Sequence, residues 1–169
     1  MRRLTVDEVN GLALDAFVSK FGSLFEHSPW VAEDAYERGP YPDRAALEAG
    51  LAEAMYGAPP DRQVALVRAH PDLAGKAAVA GTLTPDSERE QSSAGLDRLR
   101  SDEYEALTDA NAAYRERFGF PFVVCVREHD KASILATAEA RLQHDPEQEV
   151  RTALDEIAKI ARLRLRDLP

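Results

Sequence analysis

The 169-residue chain holds one cysteine, Cys125, so neither an intramolecular disulfide nor a thiolate zinc cluster can form, and a reducing compartment, the cytoplasm, is expected. Long hydrophobic runs are missing. The longest uncharged apolar stretch is Gly119 to Val126, far short of the roughly 20 residues a membrane span requires. Arg2 and Arg3 are followed closely by acidic residues and by no apolar core, which argues against a secretion signal. There is no dense basic block either: 21 Lys and Arg stand against 30 Asp and Glu, a formal net charge of −9. No nucleic-acid or membrane partner is expected from such a balance, because both need a phosphate-neutralising basic surface. A P-loop, a dinucleotide fingerprint, a nucleophile elbow and a helical His pair at i, i+4 are all lacking, so no metal ligand is assigned.

What is present is globular. With 44% hydrophobic and 30% charged residues, the chain can build a core, and its length fits one domain over 1–169. Helical signals dominate. Thr5 and Glu8 have the spacing of a capping box and lead into Val6, Val9, Leu12, Leu14 and Phe17 as one helix. Ser28 before Pro29 predicts a cap and a helix from Trp30 to about Glu37; Asp43 predicts a helix ending at Gly57. Asp61 opens a fourth, which Pro71 halts, leaving His70 at a helix C-terminus. Thr84-Pro85 starts a helix of about 10 to 15 residues, and Ser101 starts one that Gly119 stops. Lys131 to Gln143 and Pro146 to Leu168 complete the set. The β-branched and aromatic run 120–126 is too short to seed a sheet alone and reads as an extended strip packed between helices. The fold class is all-α, a bundle of about eight helices with that one short strip.

Three places carry polar residues where a plain core would not. The stretch Asp86 to Ser93 has two turns of polar side chains, with Ser87, Glu90 and Gln91 on one face near a positive helix N-terminus; a solvated surface and the wall of a wet cavity both fit it. On the final helix the apolar stripe Val150, Leu154, Ile157, Ala161, Leu168 is interrupted by Arg164, whereas Arg162 and Arg166 point elsewhere. A buried arginine head must be paired or bind an anion; an internal ion pair, a snorkelling head and a substrate oxygen are the three readings. His70 is either a histidinium at a helix end or an acid/base group.

Five segments in order, FEHSPW at 25–30, HPDLAGK at 70–76, the SxxEQ element at 87–91 followed by SSAGLDRL, FGFPFVVCV at 118–126 and the terminal IARLRLRDL, resemble one family: the 2-oxo-4-hydroxy-4-carboxy-5-ureidoimidazoline (OHCU) decarboxylases of the urate-to-allantoin route. The likeness runs from about Phe17 to Leu168. The stretch GPYPDR at 39–44 departs from the family's usual Arg-Pro-Phe.

The resemblance implies an all-α, cofactor-free enzyme that gives (S)-allantoin and carbon dioxide and works as a homodimer. It implies His70 as the catalytic acid/base, with Glu90 also catalytic and belonging with Ser87 and Gln91 to one element. Ser87 and Gln91 resemble the family's substrate-holding element, Pro71 and the strip Phe122, Val123, Val124, Cys125 and Val126 its backbone contacts, and Arg164 its terminal arginine. Two rivals remain at this point: a helical interaction module without catalysis, and a ureide hydrolase with a metal among His70, Asp72 and His27.

Overall fold

The computed structural model describes residues 2–169. They form α1 (Val6–Asn10), α2 (Leu14–Phe21), α3 (Trp30–Glu37), α4 (Arg44–Tyr56), α5 (Pro60–Arg68), α6 (Lys76–Ala80), α7 (Pro85–Ser93), α8 (Ser101–Phe118), α9 (Lys131–Arg141) and α10 (Pro146–Asp167). Two 3-10 turns, Gly22–Leu24 and Val126–Glu128, link them, and the described residues contain no strand. The all-α expectation holds. None of these helices is long and apolar enough to cross a membrane.

Local chemistry explains most of the boundaries. The Thr5–Glu8 capping box opens α1 as expected, but Gly11 ends it and Ala13, in extended conformation, starts α2. One expected helix is therefore two, because glycine inside a helix gives up backbone entropy that a short amphipathic stretch cannot recover. Asp43 caps α4 by accepting from the Ala46 N–H at 2.8 Å. Ser28 does not cap: its hydroxyl donates to the Glu26 carbonyl at 2.8 Å, and Pro29 takes the cap position of α3. Asp61 lies inside the first turn of α5, which Pro60 begins. The five residues of α6 went unpredicted, as expected for a segment too short to show a period. The extended strip occupies 121–125, and Val126 already belongs to the 3-10 turn that follows.

Contacts divide the chain into two compact units, Met1–Ala69 with Ala158–Pro169, and His70–Ile157. In the first, α3 packs on α2 and α4 around Phe17, Phe21, Val31, Leu47 and Met55, all buried. The Phe17 ring lies 4.7 Å from that of Phe21 and 5.5 Å from that of Tyr36. The departing stretch 39–44 is well anchored in this unit. The Tyr41 hydroxyl donates to the Ala35 carbonyl at 2.5 Å, and its ring fills the space over Gly50, where a Cβ would come within 2.4 Å of it. In the second unit α8 packs on α9, and α7 packs on the 3-10 turn after the strip. Tyr114, Phe118, Phe120 and Phe122 form its aromatic cluster, with ring centroids 4.7 to 5.8 Å apart.

Candidate active site

Helix α5 ends at Arg68 with Ala69 as its cap, and Pro71 disfavours helical geometry at His70 before it. His70 follows and is buried, with 7% of its surface exposed. The next residues form a loop held by side chains of α7 and α8. Arg115 Nε meets both Asp72 carboxylate oxygens at 3.0 and 3.1 Å. The Leu73 carbonyl accepts from Asn111 Nδ2 at 3.0 Å, and the Ala74 N–H donates to Gln91 Oε1 at 3.0 Å. Ala74 has φ 50°, a left-handed conformation that costs a non-glycine residue about 1 kcal/mol or more and persists only where its surroundings hold it.

On α7, Thr84 caps by accepting from the Ser87 N–H at 3.3 Å, and Pro85 fills the first helical position. Ser87 and Gln91 are buried, Glu90 is half-buried, and Glu88 and Arg89 are exposed. The expected face is thus the one turned inward. A cleft of about 510 Å³ borders an adjoining side of α7 that shares Gln91 with the inner face, where Glu88 and Ser92 line it with Ala74, Leu83 and Tyr104. Ser87 and Glu90 are not among its lining residues.

Phe122, Val123, Val124, Cys125 and Val126 are all buried. The Cys125 N–H donates to Glu156 Oε1 at 3.4 Å. Burial first, then the charges of Glu128, Glu156 and Glu90, push the Cys125 thiol up to about 11, so it stays protonated and poorly nucleophilic at neutral pH. The packing of α7 on the 3-10 turn Val126–Glu128 puts that helix beside the strip's end.

A buried network fixes the other end of the strip. Arg141 Nη1 donates to the Val123 carbonyl and Nε to Glu149 Oε1, each at 2.5 Å. The Tyr114 hydroxyl donates to the same Glu149 oxygen at 2.5 Å, and His144 Nδ1 lies 2.9 Å from Glu149 Oε2. Burial, reinforced by the hydrogen bond to Glu149, raises the Tyr114 pKa well beyond the usual phenol range, so the phenol remains a donor. None of Arg141, Glu149, Glu156 or Asn111 was singled out from the sequence. Glu149, Ala153, Glu156 and Ile160 are buried at helical spacing on α10, a second stripe beside the apolar one, and that spacing was the available signal.

Arg164 lies in the first unit with 5% exposure. Its Nη1 meets Glu26 Oε2 at 3.0 Å and approaches the Ser23 carbonyl at 3.4 Å. Glu26, inside the segment 25–30, is itself only 2% exposed. Of the three readings of Arg164, the internal ion pair is therefore realised, and its partner had gone unnoticed. Arg162 is exposed, 3.9 Å from Glu48. Among the described residues no group of three or more His, Cys, Asp or Glu is arranged to hold a metal ion.

The second unit thus joins the His70 loop to the SxxEQ helix through Gln91, and that helix to the strip. Comparison with known proteins shows the family. The model of the OHCU decarboxylase family matches residues 10–166. A 2-oxo-4-hydroxy-4-carboxy-5-ureidoimidazoline decarboxylase of Haloferax volcanii is 44% identical over 165 residues, 98% of this chain and 96% of its own length. The mouse protein of the same name is 43% identical over 161 residues, covering 95% of this chain and 90% of that one. The crystal structure of an (S)-allantoin synthase superposes with a TM-score of 0.76 at 30% identity, over 97% of this chain, which spans 54% of that longer one. Fold and matches together define a helical carboxy-lyase. Specifically, the chain belongs to the OHCU decarboxylase family.

Proposed function

We propose that this chain decarboxylates 2-oxo-4-hydroxy-4-carboxy-5-ureidoimidazoline to (S)-allantoin in urate degradation, as one functional domain over 1–169 and without a cofactor. The observation that carries the reading is the 3.0 Å bond from the Ala74 N–H to Gln91 Oε1, which ties the His70 loop to the helix bearing Ser87 and Glu90. The substrate explains why no cofactor is invoked. Its carboxylate-bearing carbon adjoins a C=N bond, so when the bond to carbon dioxide breaks, the electron pair moves into the ring toward nitrogen. That nitrogen takes up a proton from water, the product of the step is an enol, and the enol becomes allantoin when its hydroxyl proton leaves and a proton reaches the neighbouring carbon on one face.

In this scheme His70 takes the hydroxyl proton and returns one to carbon. Glu90 accepts hydrogen bonds from ureido or ring N–H groups. Ser87, Gln91, Pro71 and the backbone of Phe122, Val123, Val124, Cys125 and Val126 position the ring, which supplies orientation before any chemistry occurs. Arg164 contributes a charge-assisted contact to a substrate oxygen. The acting form is a homodimer in the cytoplasm; sedimentation of the purified protein checks the dimer.

The test is a circular dichroism time course on freshly generated substrate. Consumption should be faster with the protein, and the product should be (S)-allantoin where uncatalysed decay gives both hands. Unchanged rate and handedness would return the chain to a non-catalytic helical module. Loss of activity on chelation, restored by zinc, would favour the metal hydrolase.

A further inference from the structure

We propose that Asn111 is a positioning residue for His70, acting through the backbone of the loop 72–74. The inference rests on the reading of His70 as the acid/base.

Asn111 and Arg115 lie one helical turn apart on α8 and present one face to the loop. Arg115 grips the Asp72 carboxylate, and Asn111 Nδ2 donates to the Leu73 carbonyl at 3.0 Å. That bond sets the orientation of the Asn111 amide, because a flip would turn Oδ1 against a carbonyl oxygen. Oδ1 is then left buried, with no hydrogen-bond partner among the described residues, in a side chain only 6% exposed. A buried acceptor without a donor destabilises the folded state. Leucine, apolar and of comparable size, would remove that penalty but leave the Leu73 carbonyl without its Asn111 donor, so the two effects roughly offset. Asparagine therefore suits the position poorly as a core residue and well as a donor to the Leu73 carbonyl.

That donor acts close to the proposed acid/base. His70 is three residues from Leu73, and the intervening Pro71 ring restricts the backbone between them. Ala74, next along, is held left-handed at φ 50°, so the loop has a strained conformation to relax into once a restraint is removed. Relaxation would shift the imidazole relative to Ser87 and Glu90, and a displacement of about 1 Å can reduce a rate about 100-fold.

The test compares Asn111→Leu with the unaltered protein by melting temperature, steady-state kinetics and the NMR signals of the four histidine rings. Expected are a melting temperature close to the parent's, a kcat lowered by about tenfold or more with little change in KM, and a shifted His70 resonance while His27, His129 and His144 stay in place. Amide exchange at Ala74 should quicken in step. A kcat within about twofold of the parent, or a His70 signal that does not move, overturns the inference. A large fall in melting temperature does so too, since it would make Asn111 ordinary scaffold. Were the unaltered protein inactive on the ureidoimidazoline, the decarboxylase reading would fail, while the His70 resonance would still decide whether Asn111 sets that ring.

Discussion

Each unit of the molecule buries one arginine against one glutamate, and the two pairs differ in what surrounds them. Arg141 and Glu149 are 4% and 0% exposed, eight residues apart across the turn between α9 and α10. The Arg141 guanidinium also reaches the Val123 carbonyl and lies 4.7 Å from the centroid of the Phe122 ring, while Tyr114 and His144 engage the glutamate. The side chains of Arg164 and Glu26 are about as buried, at 4% and 1% exposed, but 138 residues apart. The first pair sets the course of the strip. The second brings the terminal helix against the segment 25–30, both of them segments that carry the family resemblance. Similar burial thus comes with different surroundings: the Arg141 guanidinium holds backbone and aromatic partners besides its carboxylate, whereas Arg164 meets Glu26 and the Ser23 carbonyl and, in the proposed function, a substrate oxygen.

The largest effects are expected from breaking the pairs. Arg164→Leu and Arg141→Leu each strand a buried carboxylate and should each lose about 3 to 5 kcal/mol of stability. A scan of melting temperatures with Arg162→Leu as the near-silent control measures this. The contrast between them lies in rescue. Replacing both Arg164 and Glu26 by Leu removes the stranded charge and should recover most of the stability, since apolar replacement of a buried pair is often neutral, yet activity should stay lost. Recovery of activity in that double variant would make Arg164 scaffold, as Arg141 is. Arg141→Leu should in addition loosen the strip and expose Cys125 to iodoacetamide, which the parent should resist at pH 8 because its thiol is buried and titrates near 11.

A smaller free-energy change, confined to activity, is expected at His70. His70→Asn keeps hydrogen bonding and removes proton transfer, so turnover should fall about 100-fold or more with the melting temperature nearly unchanged. An equal fall in stability would put His70 with the scaffold pairs. The finest contrast is within α7: Glu90→Gln should impair turnover severely, while Glu88→Gln, on the exposed side, should leave it almost intact. Equal kcat values for the two would undo the distinction between the inner and outer faces of that helix.

How far these features were readable varies with the range of the interaction that makes them. The limits of α8, Ser101–Phe118, agree with expectation because Gly119 closes it with φ 75°, a conformation favouring glycine. The inner face of α7 was legible for the same kind of reason, since Ser87, Glu90 and Gln91 share a face by spacing alone. Arg164 showed as an anomaly on its stripe, but its partner did not: Glu26 sits between Phe25 and His27 with no periodic signal to mark it. Asn111 was no more visible, being one polar residue among many on a polar helix.

The sequence by itself determined the all-α class, most helix limits and the candidates His70, Ser87, Glu90, Gln91 and Arg164, because caps, prolines, glycines and periodicity act over a few residues. Tertiary structure alone decided that Gln91 and Asn111 grip the loop after His70, that Arg141 holds the Val123 carbonyl, and that Arg164 meets Glu26. Those bonds join residues 17 to 138 positions apart. Which donor meets which acceptor at such separations is settled only when burial forces each polar group to find a partner.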